Sequence, residues 1–172
     1  MLQSMNIYSC LLLAAALCVG GCQSAPSNPH PAAPGDVTVN FKDPEKFTDV
    51  RDSSGGGTSQ HYLDVLSKHV QETAARLLTA RQKLTVTFTD IDLAGDIPPG
   101  RTDGVRIFKS LYIPRVELNF QLRDASSAVI LEGDRHLIDM NFQRTITPVG
   151  QYDALSYDKQ LLTDWVRKEF RP

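Results

Sequence analysis

The residues best suited to chemistry are Asp90, Asp92 and Asp96, with Asp103 beyond them. Carboxylate oxygens gathered at the end of a strand can surround a hard cation such as calcium. Their spacing does not match the twelve-residue calcium loop, which needs Gly at its sixth position and a bidentate Glu at its twelfth. The competing use of Asp is to accept backbone hydrogen bonds in turns. The sequence favours that use while keeping these three as candidate metal ligands. Histidine adds no second site: His61 and His69 stand eight residues apart, His30 lies in a Pro-rich stretch and His136 in an alternating run. No pair has the four-residue spacing of a helical zinc site. There is no Gly-x-Ser-x-Gly turn, and Ser53 and Ser54 lack a preceding apolar strand that would hold a nucleophile rigid. The glycine run at 55–57 is not followed by Lys-Ser or Lys-Thr, which argues against a phosphate-binding loop. Paired carboxylates for sugar hydrolysis are defined by their separation in space, so sequence leaves them open. Tyr112, Arg115 and Trp165 are residue types of a recognition patch, although Trp165 fits core packing better and Asp139 reads as a satisfied strand carboxylate. No catalytic residue and no cofactor follow from these patterns.

Cys22 invites covalent chemistry of another kind. Residues 7–21 read Ile-Tyr-Ser-Cys-Leu-Leu-Leu-Ala-Ala-Ala-Leu-Cys-Val-Gly-Gly, too short for a lasting transmembrane helix of about 20 residues but of signal-peptide length. The first six residues carry no Lys or Arg, so the terminal amine alone supplies the usual positive charge. Val19-Gly20-Gly21-Cys22 resembles the lipobox of bacterial lipoproteins, with Val where Leu is commoner. That resemblance implies a signal peptide over 1–21, cleavage before Cys22 and lipid on its sulfur. Cys10 and Cys18 would leave with the signal, so Cys22 would be the lone thiol with no internal disulfide to form. Each buried methylene of an acyl chain contributes about 0.8 kcal/mol, so several chains anchor a protein durably. Gln23, rather than Asp, follows the cysteine, and by resemblance to sorted lipoproteins this implies the outer membrane. The expected partner is then a membrane, held through acyl chains on Cys22.

Composition separates the regions that would carry these groups. Before Lys42 the only charged side chain is Asp36, whereas the remainder mixes both signs. Residues 22–36 are Pro-rich and read as an extended linker; residues 37–172 are long enough for one core. With a net charge of -2 and no basic stripe, nucleic acid is not an expected partner.

Within that domain, Val37, Val39 and Phe41 alternate with polar residues and Asp43-Pro44 ends the run, as in a strand. Leu63, Leu66, Val70, Ala74, Leu77 and Leu78 recur at helical spacing over 60–79, with Thr58 or Ser59 as the cap. Leu84, Val86 and Phe88 predict a second strand, and 105–108 a short one. The cleanest alternation, 116–123, passes through a turn at 124–127 into a run over 129–142, a hairpin with one buried face. Leu155, Leu161, Leu162, Trp165, Val166 and Phe170 predict a closing amphipathic helix. The expected fold is α+β: a largely antiparallel sheet with two amphipathic helices packed on one face.

Phe47-Thr48-Asp49-Val50, Thr89-Asp90-Ile91-Asp92-Leu93-Ala94-Gly95-Asp96, Arg106-Ile107, Pro114-Arg115, Gly133, Leu137-Ile138-Asp139-Met140-Asn141-Phe142 and the segment 162–165 together resemble a Gram-negative family known as domain of unknown function 3016. Its members are exported or lipid-anchored, and the family brings no assigned activity. Two functions are therefore expected as competitors. The preferred one is a non-catalytic, lipid-anchored envelope module on the periplasmic face of the outer membrane, binding another envelope protein or a cell-wall component. The alternative is a small periplasmic hydrolase or metal-dependent protein using the acidic region 90–103.

Overall fold

The computed structural model describes residues 35–52, 57–98, 105–144 and 153–171. The expected signal segment, Cys22, most of the linker, Ser53, Ser54 and Asp103 lie outside the described residues. Four strands, β1 (Asp36–Phe41), β2 (Lys83–Asp92), β3 (Arg115–Arg123) and β4 (Val129–Ile138), form one sheet in sequential order. Two helices accompany them, α1 (Gln60–Ala75) and α2 (Ser156–Phe170). Among the described residues, no helix is long and apolar enough to cross a membrane.

The fold is α+β as expected, but the sheet is mixed. β2–β3 and β3–β4 are antiparallel, whereas β1 runs parallel to β2, pairing Val37 with Leu84 and Phe41 with Phe88. The cause is α1, which occupies the connection between them, because a parallel pair needs a crossover of a dozen or more residues. Alternation marks Val37, Val39 and Phe41 as a strand but carries no direction.

Ser59 is the helix cap, its hydroxyl accepting from the Tyr62 amide at 3.3 Å. α1 stops at Ala75, short of the apolar pattern, and Leu77 and Leu78 donate their amides back to the Ala74 carbonyl. β4 likewise stops at Ile138; Asn141 donates its amide to Asp139 Oδ1 at 2.8 Å, and Phe142 enters a 3-10 turn. The expected strand at 105–108 is reduced to a single bridge, Asp96 to Ile107.

Leu63, Leu66, Val70 and Ala74 of α1 and Leu161, Leu162, Trp165, Val166 and Phe170 of α2 share one core with Leu84, Val86, Phe88, Val116, Leu118 and Phe120 of the sheet. Full burial of each large aliphatic side chain stabilises the fold by about 1.5–3 kcal/mol. A bulge between Phe88 and Asp90 shifts the register of β2, so that Ile91 faces the core and Asp90 and Asp92 do not. Thus one irregular residue aims the acidic segment.

Candidate functional site

The three candidate carboxylates are each engaged with a separate partner. Asp90 accepts from the Thr48 amide at 2.7 Å and the Thr48 hydroxyl at 2.8 Å. Asp92 stands opposite Arg115 in the β2–β3 register and takes its Nη1 at 3.2 Å. Burial pushes the Asp92 carboxyl up, and Arg115 opposes that shift. Asp96 accepts from Arg51 Nη2 at 3.3 Å. Among the described residues, no group of three His, Cys, Asp or Glu side chains is placed to hold a metal ion. The acidic segment instead joins the strand end to the segments beside it.

Those segments converge on Arg106, whose side chain is 1% exposed. Its Nε donates to the Ala94 carbonyl at 3.0 Å, Nη1 to the Arg51 carbonyl at 2.8 Å, and Nη2 to Asp49 Oδ2 at 2.5 Å and to the Gly95 carbonyl at 3.0 Å. Burial pushes the Asp49 carboxyl up, but the bonds from Arg51 and Arg106 outweigh it and leave the acid below its ordinary range. A charge taken from water needs this satisfaction, since an unpaired one is strongly destabilising. Gly95 makes the corner possible with φ +76°; a Cβ there would lie 2.9 Å from the Ile107 carbonyl. Sequence reasoning singled out neither Asp49 nor Arg106 for a site. Both stand in segments that carry the family resemblance, Phe47-Thr48-Asp49-Val50 and Arg106-Ile107, but the resemblance assigns them no role.

A second buried acid was missed as well. Asp158, in the first turn of α2, is 0% exposed. Its Oδ1 accepts from the Ala94 amide at 2.9 Å, while Oδ2 is buried with no hydrogen-bond partner. Burial pushes this carboxyl up to about 7, against the opposing pull of the Ala94 amide and Arg106.

Among the described histidines, His69 serves packing, whereas His61 and His136 are exposed. His69 Nε2 lies 2.9 Å from the Lys159 carbonyl and 2.8 Å from Thr163 Oγ1, joining α1 to α2, and burial lowers its pKa. His136 pairs with Glu117 at 2.9 Å, and the His61 ring lies 5.9 Å from that of Tyr62. Trp165 is turned into the core, 4% exposed, with its ring 5.8 Å from those of Phe120 and Phe170, so it does not complete a surface patch with Tyr112 and Arg115.

A groove of about 630 Å³ lies between β4 and α2. Leu137, Ile138, Leu161 and Trp165 supply its apolar lining, and Asp164, Lys168 and Glu169 are on its helix side. β4 is an edge strand whose core face carries Gly133 and Arg135 between Leu131 and Leu137. The Arg135 guanidinium sits 5.0 Å over the Phe120 ring and bonds Glu169 at 2.5 Å. An inward-facing charge on an edge strand discourages indiscriminate strand addition. Ile138 and Met140 nevertheless leave 44% and 75% of their surface in solvent at the end of that edge.

A four-stranded mixed sheet covered by two helices, with a polar corner at one strand end and a groove beside the edge strand, defines the class. The model of a family described as a protein of unknown function, domain 3016, matches residues 35–168, and the chain belongs to that family. No curated protein matches it. Two solved structures are similar to it: a point variant of the PelC dodecamer from Paraburkholderia phytofirmans and that dodecamer in another crystal form. The first has 13% identity and a TM-score of 0.39, covering 80% of this chain and 85% of its own. The second has 13% identity and a TM-score of 0.38, covering 80% and 86%.

Proposed function

We propose that this protein is a lipid-anchored envelope module that binds another envelope protein without catalysing a reaction. Cys22 carries the acyl chains, residues 22–36 form the tether, and the α+β domain meets its partner on the periplasmic face of the outer membrane. The observation that supports the binding role is the groove between β4 and α2, with its apolar lining and charged helix side. Its volume falls in the range of about 300–1,000 Å³ typical of binding clefts. Ile138, which lines it, and Met140, two residues past the end of β4, are exposed apolar residues that add to the surface a partner's apolar segment would cover. The acidic segment serves architecture in this reading, because Asp49, Asp92 and Asp96 are matched to arginines and Asp90 to Thr48.

Photo-crosslinking in cells tests the reading. A crosslinking residue in place of Ile138 should give a discrete adduct with one envelope protein, and one in place of Thr38, exposed on the other edge strand β1, should not. Absence of any adduct from Ile138, or equal adducts from both positions, contradicts it.

A further inference from the structure

The first turn of α2 touches the polar corner through one buried carboxyl. Asp158 Oδ1 receives the Ala94 amide at 2.9 Å, and its other oxygen has no partner. The corner is hydrogen-bonded on its remaining sides. Arg106 holds the Ala94 and Gly95 carbonyls, Gly95 donates to the Tyr112 carbonyl at 3.1 Å, and Leu93 donates to the Asp49 carbonyl at 3.1 Å. The ionisable groups acting on Asp158 come from several elements. Arg106 favours its charged form and Asp92, at the end of β2, opposes it. Tyr62 of α1 is itself pushed up by burial, with Asp52, Asp153 and Asp158 adding to that shift and Arg106 opposing it. Lys159, beside Asp158 on α2, is held by Asp153 at 2.5 Å.

We propose that the Asp158–Ala94 contact is a proton-operated latch: the neutral carboxyl keeps the first turn of α2 docked on the 93–96 corner, and loss of its proton releases that turn. The neutral acid can be buried with one oxygen unmatched, whereas the carboxylate would leave a charged oxygen dry and unpaired. The reaction is one proton leaving Asp158 for solvent. The contact that breaks is the hydrogen bond from the Ala94 amide, which then binds water. In the open form the carboxylate is hydrated and returns to its ordinary acidity. Release is therefore favoured progressively as pH rises from about 4, levelling above about 7. Leu161, Asp164, Trp165 and Lys168 of the same helix line the groove beside β4. The latch stands on its own geometry; its consequence for the groove rests on the binding role proposed above.

Amide exchange of the full chain, resolved at Ala94 and corrected for the intrinsic pH dependence of exchange, reads the latch. The Ala94 protection factor should fall by up to about a thousandfold between pH 4 and pH 8 and level above pH 7. Asp158→Asn keeps an oxygen for the Ala94 amide and should remove the fall. His69→Gln, which removes the titrating group between α1 and α2, should leave it in place. A pH-independent Ala94 in the wild type, or a fall that persists in Asp158→Asn, overturns the proposal. Should Asp158→Asn not fold, the ¹³Cγ shift of Asp158 in the wild type decides: titration above pH 6 supports the latch, and titration below pH 5 overturns it. Crosslinking from Ile138 that succeeds while Ala94 proves insensitive to pH would refute the latch and leave the binding role standing.

Discussion

Arg106 directs four hydrogen bonds to Asp49, Arg51, Ala94 and Gly95, segments separated from it by as many as 57 residues. Removing it leaves Asp49 buried with only Arg51 to match it and three carbonyls without their donor. Arg106→Met should therefore cost roughly 3–5 kcal/mol in urea unfolding, and a loss below about 1 kcal/mol would show that the corner is not structural. Asp158 makes a prediction of opposite character. Its folded-state acidity is weakened from the ordinary 3.8 to about 7. The stability this group contributes is complete below about pH 4 and is lost as pH rises to about 7, a fall of roughly 4 kcal/mol at about 1.4 kcal/mol per pH unit. His69 works against it: its lowered pKa gives stability that is present above 6.5 and lost as pH falls. In a His69→Gln background, Asp158→Asn should flatten the stability profile between pH 4 and pH 8, as measured by urea midpoints. An unchanged slope would contradict the buried, neutral acid. Neither residue could be recognised from the chain alone. A charged residue is buried only where distant partners meet it, and Asp158 and Ala94 stand 64 positions apart. The conspicuous carboxylates, Asp90, Asp92 and Asp96, drew attention through density along the chain. In space, the bulge after Phe88 and the neighbouring Thr48, Arg51 and Arg115 give each its own partner.

Elements were far more legible than sites, because period encodes which face is buried. The steps from Leu63 to Ala74 give α1, the alternation from Val116 to Leu122 gives β3, and its turn gives the hairpin with β4. Direction was not encoded: Val37, Val39 and Phe41 suit either orientation, and only the passage of α1 across the sheet makes β1 parallel. Ends were also hidden, since Leu77, Leu78 and Phe142 keep the apolar pattern beyond α1 and β4 while serving turns. Leu66, at 0% exposure between α1 and the sheet, measures how firmly this layer is joined. Leu66→Ala should lower stability by about 2–5 kcal/mol through lost burial and a residual cavity, read by denaturant unfolding. A change under 1 kcal/mol would mean that the helix layer is loosely packed.

For the molecule as a whole, the division of charge along the chain carries the account. A nearly uncharged stretch precedes Lys42, and a domain of both signs follows it. The proposed anchor at Cys22 would confine that domain to a membrane surface, where even a weak contact through the β4–α2 groove meets its partner at high local concentration. Intact-mass and tandem mass spectrometry of the protein purified from its native membrane test this most directly. The account predicts a chain beginning at Cys22, its mass raised by acyl chains localised to that residue. A chain that retains residues 1–21, or one that carries an unmodified Cys22, would contradict it.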